Sequence, residues 1–331
     1  MSMKKTLGLG LLGTSMVALG GVAAASVVGN RLRRRHDDRL DDPLDPPTDV
    51  THHHISTHDG GVLHAVEMGA GDRTLVLMHG VTLQWWVWSA VMKLAATDHR
   101  VIAWDMRGHG ESRAGSEGIT LEAVADDLDL LLMTLDVEHA TLVGHSMGGM
   151  ALGQFHKRHL HDYDKRVDAL MFLATSAAPA SAPGIAGALG TVTRATSRLA
   201  QAAVDRPRLG YHWGDNGFSA TLVGTAFGPA VTGRMISDVR HMLADCPQLT
   251  LAQSSGSIAV HDVREDLAGV RLPTMVVVGT HDRLTPPHHA RTLAAIIPGA
   301  ELVTLPGIGH QVMQEAPDAL VELIGGLEAR S

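Results

Sequence analysis

From residue 74 onward the chain alternates short, unbroken apolar runs with stretches of helical spacing. The runs are "TLVLMHG" (74–80), "RVIAWD" (100–105), "ATLVGHS" (140–146), "VDALMFLAT" (167–175), "PTMVVVGTHD" (273–282) and "ELVTLPG" (301–307). A strand that is apolar at every position is buried on both faces, as in a parallel sheet covered by helices on each side. Two further β-rich runs, "HHHIST" and "VLHAVEMG", precede these and flank a turn at Asp59-Gly60-Gly61. The segments near 86–96, 120–135, 147–160, 287–297 and 315–329 have helical spacing, and Leu121, Val124, Leu128, Leu131 and Leu135 mark one helical face. The pattern predicts an α/β fold: a doubly wound, mostly parallel, eight-stranded sheet.

One interval breaks the rhythm. Residues 176–262 carry no clear β-run and are rich in Ala, Gly, Ser and Thr. "RLAQAAV" and "VTGRMISDVRHML" suggest helices, so the interval reads as a helical cap inserted into a domain covering 51–331.

The N-terminus obeys different rules. Residues 6–29 carry no charge, follow Lys4 and Lys5, and precede Arg31, Arg33, Arg34 and Arg35. An uncharged run of this length predicts one membrane-spanning helix within residues 1–29. The rival is an export signal cleaved near "AAAS" at 23–26. The arginines behind the run favour the span and place the following domain on the cytoplasmic side. Residues 30–50, charged and then Pro-rich, have the composition of a linker.

Bulk charge narrows the partners. The formal net charge is −8, so no overall basic field exists to hold nucleic-acid phosphates. Cys246 is the single cysteine, which excludes an intrachain disulfide. The 21 histidines show no repeated metal-ligand spacing. Adjacent histidines on a strand, such as His52 to His54, point to opposite faces, so one chelate from all three is awkward. Neither a metal nor an organic cofactor is expected.

Function in an open parallel sheet collects where strands end. There the chain offers, in order, His79-Gly80-Val81, Asp105, Ser146, Asp282 and His310. Ser146 lies in "LVGHSMGGM", where an apolar run must turn sharply into a helix. Gly144 and Gly148 remove the side chains that would collide in that turn. A serine hydroxyl is weak without a base. His310 supplies one, and Asp282 would hold its imidazole in the right tautomer. The amides of Met147 and Val81 are the natural donors to an oxyanion, each worth about 3–4 kcal/mol to a transition state.

These residues carry a resemblance. "HGVTLQWW", "DMRGHGES", "GHSMGG", "GTHDRLTP" and "GIGHQVMQEAP" are similar, in the same order, to motifs of the α/β-hydrolase superfamily, over about residues 55–330. The resemblance implies a Ser146–Asp282–His310 triad, an oxyanion hole at Val81 and Met147, and a cap at 176–262. It departs from the usual "HGxxxS" loop, since "VTLQ" stands there. Serine rather than aspartate at position 146 argues against epoxide hydrolase and haloalkane dehalogenase chemistry. "LMFLATSAA" ends without a carboxylate, so the family's alternative acid position is empty.

The remaining polar residues read as structural. His79 would brace the oxyanion loop, Asp105 and Arg107 would pin a turn, and His145 and His109 would serve neighbouring loops. Trp85, Trp86 and Trp213 are candidates for the substrate pocket. The expected activity is hydrolysis of carboxylic esters of lipophilic character, with a small ester or lipid as substrate and the membrane as anchor. Acyltransferase, lactonase and cofactor-free perhydrolase chemistry use the same machinery, and a non-catalytic binding protein is the alternative from another class.

Overall fold

The computed structural model describes residues 24–159, 165–179 and 216–331. Eight strands form one sheet: β1 Thr51–Ser56, β2 Val62–Met68, β3 Arg73–Met78, β4 His99–Asp105, β5 Ala140–His145, β6 Val167–Leu173, β7 Thr274–Gly279 and β8 Glu301–Leu305. Their order is β1-β2-β4-β3-β5-β6-β7-β8. β2 runs antiparallel to both β1 and β4, and the other neighbours are parallel. Five of the six apolar runs are central strands; the sixth, β8, lies at the edge opposite β1 and is only partly buried. β5 and β7 are buried at every position, whereas β1, at one edge, is mostly exposed.

Each strand feeds two cores because alternate residues point to opposite faces. In β3, Val76 and Met78 join a core with the helices Leu121–Thr134, Met147–Arg158 and Pro287–Ile296. Leu75 and Leu77 join the other, with the helices Ser89–Ala95 and Pro317–Glu328. This is the doubly wound arrangement expected from the apolar runs. The Leu121–Thr134 helix shows the local logic: Thr120 caps it by accepting the Ala123 N–H at 3.0 Å. Leu121, Val124, Leu128 and Leu131 are buried along it as their spacing requires.

The chain crosses over β3 on its way from β4 to β5, so the carboxyl ends of β3 and β5 lie side by side, with Met78 opposite Gly144. That reversal of strand order opens the crevice in which open α/β sheets bind ligands.

Between β6 and β7 the described part of the insertion is helical: Gly217–Gly224, Gly233–Asp245 and Gln248–Val260. The stretch "RLAQAAV" lies outside the described residues, as does most of the N-terminal apolar run. Among the described residues no helix is long and apolar enough to cross a membrane, so the predicted span gains no support there. Its last residues, 24–29, belong to a helical stretch seated on the insertion. Thr221 Oγ1 donates to the Ala25 carbonyl at 2.5 Å, and the Gly233 N–H donates to Arg35 O at 2.8 Å. Residues 30–50 read as a linker by composition, yet they pack against the domain. Leu44 is buried in the second core, and the buried Asp41 accepts from Thr232 Oγ1 at 2.5 Å.

Candidate active site

Ser146 follows β5 and precedes the helix Met147–Arg158. Its backbone has φ 51° and ψ −114°, a conformation that L-residues rarely adopt. The turn survives because the surroundings fix it. The Ser146 N–H donates to Leu173 O at 3.0 Å, and its carbonyl accepts from Thr175 Oγ1 at 2.7 Å. The glycines do what the sequence suggested. A Cβ on Gly148 would stand 2.7 Å from the carbonyl oxygens of Met78 and His79, and one on Gly144 would stand 2.6 Å from Gly149 Cα. Strand and helix therefore approach backbone to backbone, and the Ser146 side chain is left partly exposed.

His310 and Asp282 are brought together at 2.8 Å, Nδ1 to Oδ2, both buried. Asp282 is held from several sides. Its Oδ1 accepts the N–H groups of Leu284 and Thr285, each at 2.9 Å, while Oδ2 also accepts Thr285 Oγ1 at 2.9 Å. The carboxylate is thus both a turn cap and the partner of an imidazole. Because an ionised carboxylate only accepts, His310 carries its proton on Nδ1, which leaves Nε2 as the basic nitrogen.

His145 ties the serine turn to the histidine loop. Its Nε2 donates to the His310 carbonyl at 3.0 Å, and the two rings lie 4.7 Å apart. Burial holds the His145 imidazole well below the usual histidine range, so it stays neutral. His310 is thus tied to His145, the residue that precedes Ser146, and the described hydrogen bonds include none between Ser146 Oγ and His310 Nε2.

The loop that the sequence suggests for oxyanion donors follows the end of β3. His79 donates from Nδ1 to Gly80 O at 2.7 Å, and its Nε2 accepts the Met106 N–H at 3.0 Å. Burial depresses its pKa, which keeps it neutral and able to play both roles. Gly80 passes close to the serine turn: a Cβ there would stand 3.1 Å from Ser146 Cβ. Among the described hydrogen bonds, neither the Val81 nor the Met147 N–H is engaged. Asp105 anchors the chain just past this loop by accepting the Trp85 N–H at 2.8 Å, and it also accepts the Glu111 N–H at 3.1 Å.

Trp85 and Trp86 are half-buried, with Trp86 Nε1 donating to Gln84 at 2.8 Å, whereas Trp88 is wholly buried. Trp213 lies outside the described residues. Sequence reasoning did not single out Thr285, Thr175 or Glu315. The Asp-x-x-Thr spacing of "DRLT" was the available signal for the first, since a hydroxyl three residues after a turn aspartate commonly closes on it. Glu315 accepts the Gly309 N–H at 3.0 Å and the Gly228 N–H at 2.7 Å, bracing the peptide just before His310.

Known proteins match this chain over most of its length. A family model described as "alpha/beta hydrolase fold" matches residues 73–317. The chain is 27% identical to an AB hydrolase superfamily protein of Bacillus subtilis, covering 82% of this chain and 97% of that one. It is 29% identical to a non-heme chloroperoxidase of Kitasatospora aureofaciens, covering 78% and 91%. Among solved structures, a thermophilic esterase from Thermogutta terrifontis is 25% identical with a TM-score of 0.70, covering 85% of this chain and 98% of the esterase.

Proposed function

The chain belongs to the alpha/beta hydrolase family, and on that premise we propose that it is a serine hydrolase that cleaves carboxylic esters through an acyl-enzyme. Ser146 is the nucleophile, His310 the base, Asp282 the carboxylate that orients the imidazole, and the Val81 and Met147 amides the oxyanion donors.

The observation that carries this reading is the buried Asp282–His310 hydrogen bond of 2.8 Å, tied by His145, which bonds the His310 carbonyl at 3.0 Å, to the turn that holds Ser146 at φ 51°. In the proposed reaction His310 Nε2 takes the Ser146 proton as Oγ attacks the acyl carbon. The negative charge that develops on the carbonyl oxygen meets two unengaged amides, one of them at the N-terminus of a helix. His310 then gives the proton to the departing alkoxide. A water molecule, deprotonated by the same nitrogen, attacks the acyl-enzyme and releases the acid. Trp85 and Trp86 stand just past the oxyanion loop, where apolar rings favour a lipophilic acyl group.

A second reading changes only the acceptor. The likeness to a protein named a chloroperoxidase favours hydrogen peroxide in place of water, giving a peroxy acid from the same acyl-enzyme. The two separate in one assay, acid against peroxy acid formed as peroxide is raised.

The test of the main reading is labelling with a fluorophosphonate probe, followed by a p-nitrophenyl ester chain-length series. The wild-type chain should label and hydrolyse, and folded Ser146→Ala should do neither. A folded wild-type chain that does not label, or a Ser146→Ala variant that labels equally, removes the proposal.

A further inference from the structure

A second cluster of chemistry lies at the sheet's antiparallel edge. The pairing register sets His54 opposite His64, and His64 opposite Asp105, so three polar side chains form a row across β1, β2 and β4. His52 shares the face of His54 because residues two apart on a strand point the same way. The objection that three consecutive histidines cannot chelate together stands for His53. It does not apply to His52 and His54, which meet a third histidine from the neighbouring strand.

His64 is wholly buried and its Nδ1 lies 2.9 Å from Asp105 Oδ2. The carboxylate can only accept, so the proton sits on Nδ1 and the Nε2 lone pair faces outward to the cluster. His52 Nδ1 is 2.9 Å from that Nε2, and the His54 and His52 rings lie 5.4 and 5.2 Å from the His64 ring. Asp105 Oδ2 also accepts the Glu111 N–H at 3.1 Å, which brings the Glu111 side chain to the same place. One donor atom each from His54, His64 and Glu111 lies within 4.8 Å of the others.

We propose that His54, His64 and Glu111 bind a divalent transition-metal ion, Zn²⁺ by ligand type, with Asp105 orienting His64 and His52 able to complete the shell. Two imidazoles and a carboxylate suit a borderline cation of this kind and not Ca²⁺ or Mg²⁺, which take oxygen ligands. A buried histidine whose other nitrogen is held by a carboxylate is the usual support for such a ligand. Zn–N bonds of about 2.0–2.1 Å place tetrahedral ligand atoms about 3.3 Å apart. His54 and Glu111 are both exposed and close that gap by side-chain rotation, while His64 stays fixed. The bound ion ties the β1–β2 hairpin to the loop after β4. It lies outside the proposed catalytic groups and needs no part of the ester reaction.

The experiment is a Zn²⁺ titration of the full, untagged chain by calorimetry, repeated with Co²⁺ to read its visible absorption. One ion should bind per chain, give the intense bands of four-coordinate Co²⁺, and raise the melting temperature. His54→Ala and Glu111→Gln, both at exposed positions, should each weaken binding at least tenfold, and His288→Ala, in a separate histidine pair, should leave it unchanged. Mg²⁺ should give no heat. No binding by the wild-type chain, or equal binding by His54→Ala and Glu111→Gln, overturns the proposal. Ester hydrolysis has no bearing on either outcome.

Discussion

Replacing Asp282 by Asn tests the proposed relay most sharply, because the structure fixes how the new amide must sit. Oδ1 of Asp282 accepts two backbone N–H groups, from Leu284 and Thr285, at 2.9 Å each. An amide NH₂ in that place would face two donors, so the asparagine oxygen must occupy it. The NH₂ group is then forced into the Oδ2 position, 2.8 Å from His310 Nδ1. It can only donate, so Nδ1 becomes the acceptor and the imidazole proton moves to Nε2. That tautomer cannot take a proton from Ser146. Triads trapped in the wrong tautomer lose about 10⁴ in kcat, roughly 5 kcal/mol of transition-state stabilisation. Stability should change far less. Thr285 Oγ1 can accept from the new NH₂ while donating to Ala174 O, its 2.8 Å partner, so every buried polar atom keeps a partner. A loss of about 1–2 kcal/mol is expected. The assay is kcat on the best p-nitrophenyl ester beside fluorophosphonate labelling rate and thermal unfolding. An Asp282→Asn enzyme that melts normally and keeps more than a tenth of wild-type kcat would refute the tautomer argument.

Three other perturbations probe the same geometry. Arg107 is buried and grips Asp127 with two hydrogen bonds of 2.6 and 2.7 Å, while also reaching Asp59 at 3.2 Å. Arg107→Ala leaves a buried carboxylate alone and should cost about 3–5 kcal/mol in urea unfolding; a loss below about 1 kcal/mol would show that water replaces the guanidinium freely. Gly148→Ala would press a methyl onto the Met78 and His79 carbonyls, which are backbone and cannot rotate away. It should cost about 1–3 kcal/mol and lower kcat with it, and unchanged melting would contradict the close approach. Burial pushes the Glu315 carboxyl up to about 7, above its ordinary 4.5. Between those values the folded chain holds a proton that the unfolded chain has lost, so stability falls as pH rises through the window and levels off above it. The full swing is at most about 3 kcal/mol. Glu315→Gln should flatten that slope in denaturation at pH 5, 6 and 8, and an unaltered slope would assign it to other groups.

Much of the fold was legible because strands covered by helices on both faces carry near-continuous apolar runs, although β8, at the sheet edge, is only partly buried. Six apolar runs became β3 to β8, and the helical face from Leu121 to Leu131 is buried as its spacing required. The strained serine turn was legible as well, since Gly144 and Gly148 are where a Cβ would strike backbone. Other features depend on contacts between distant segments, and local composition does not encode them. Residues 30–50 are charged and Pro-rich, yet Leu44 is buried in the second core and Asp41 reaches Thr232. The meeting of His54 with His64 requires the register of β1 on β2, which a one-residue slip would abolish. Thr285 and Glu315 look like ordinary surface residues until the turn and helix that carry them are folded.

The support of His310 shows why the insertion and the chemistry cannot be treated separately. The His310 N–H donates at 2.6 Å to the carbonyl of Ala226, just past the helix Gly217–Gly224. The Gly309 N–H and the Gly228 N–H share the Glu315 carboxylate. A Cβ on Gly309 would collide with the peptide joining Phe227 to Gly228, so the two segments touch backbone to backbone. The proposed base thus stands on two supports: Asp282 fixes its proton, and the inserted segment fixes the peptide on which it is mounted. Displacing the 226–228 peptide would move the imidazole without touching any group that reacts. Proton transfer depends steeply on hydrogen-bond reach, and an ångström of misplacement costs about 10² in rate. The insertion therefore bears on the proposed chemistry through backbone contacts with the His310 loop, independently of its side chains.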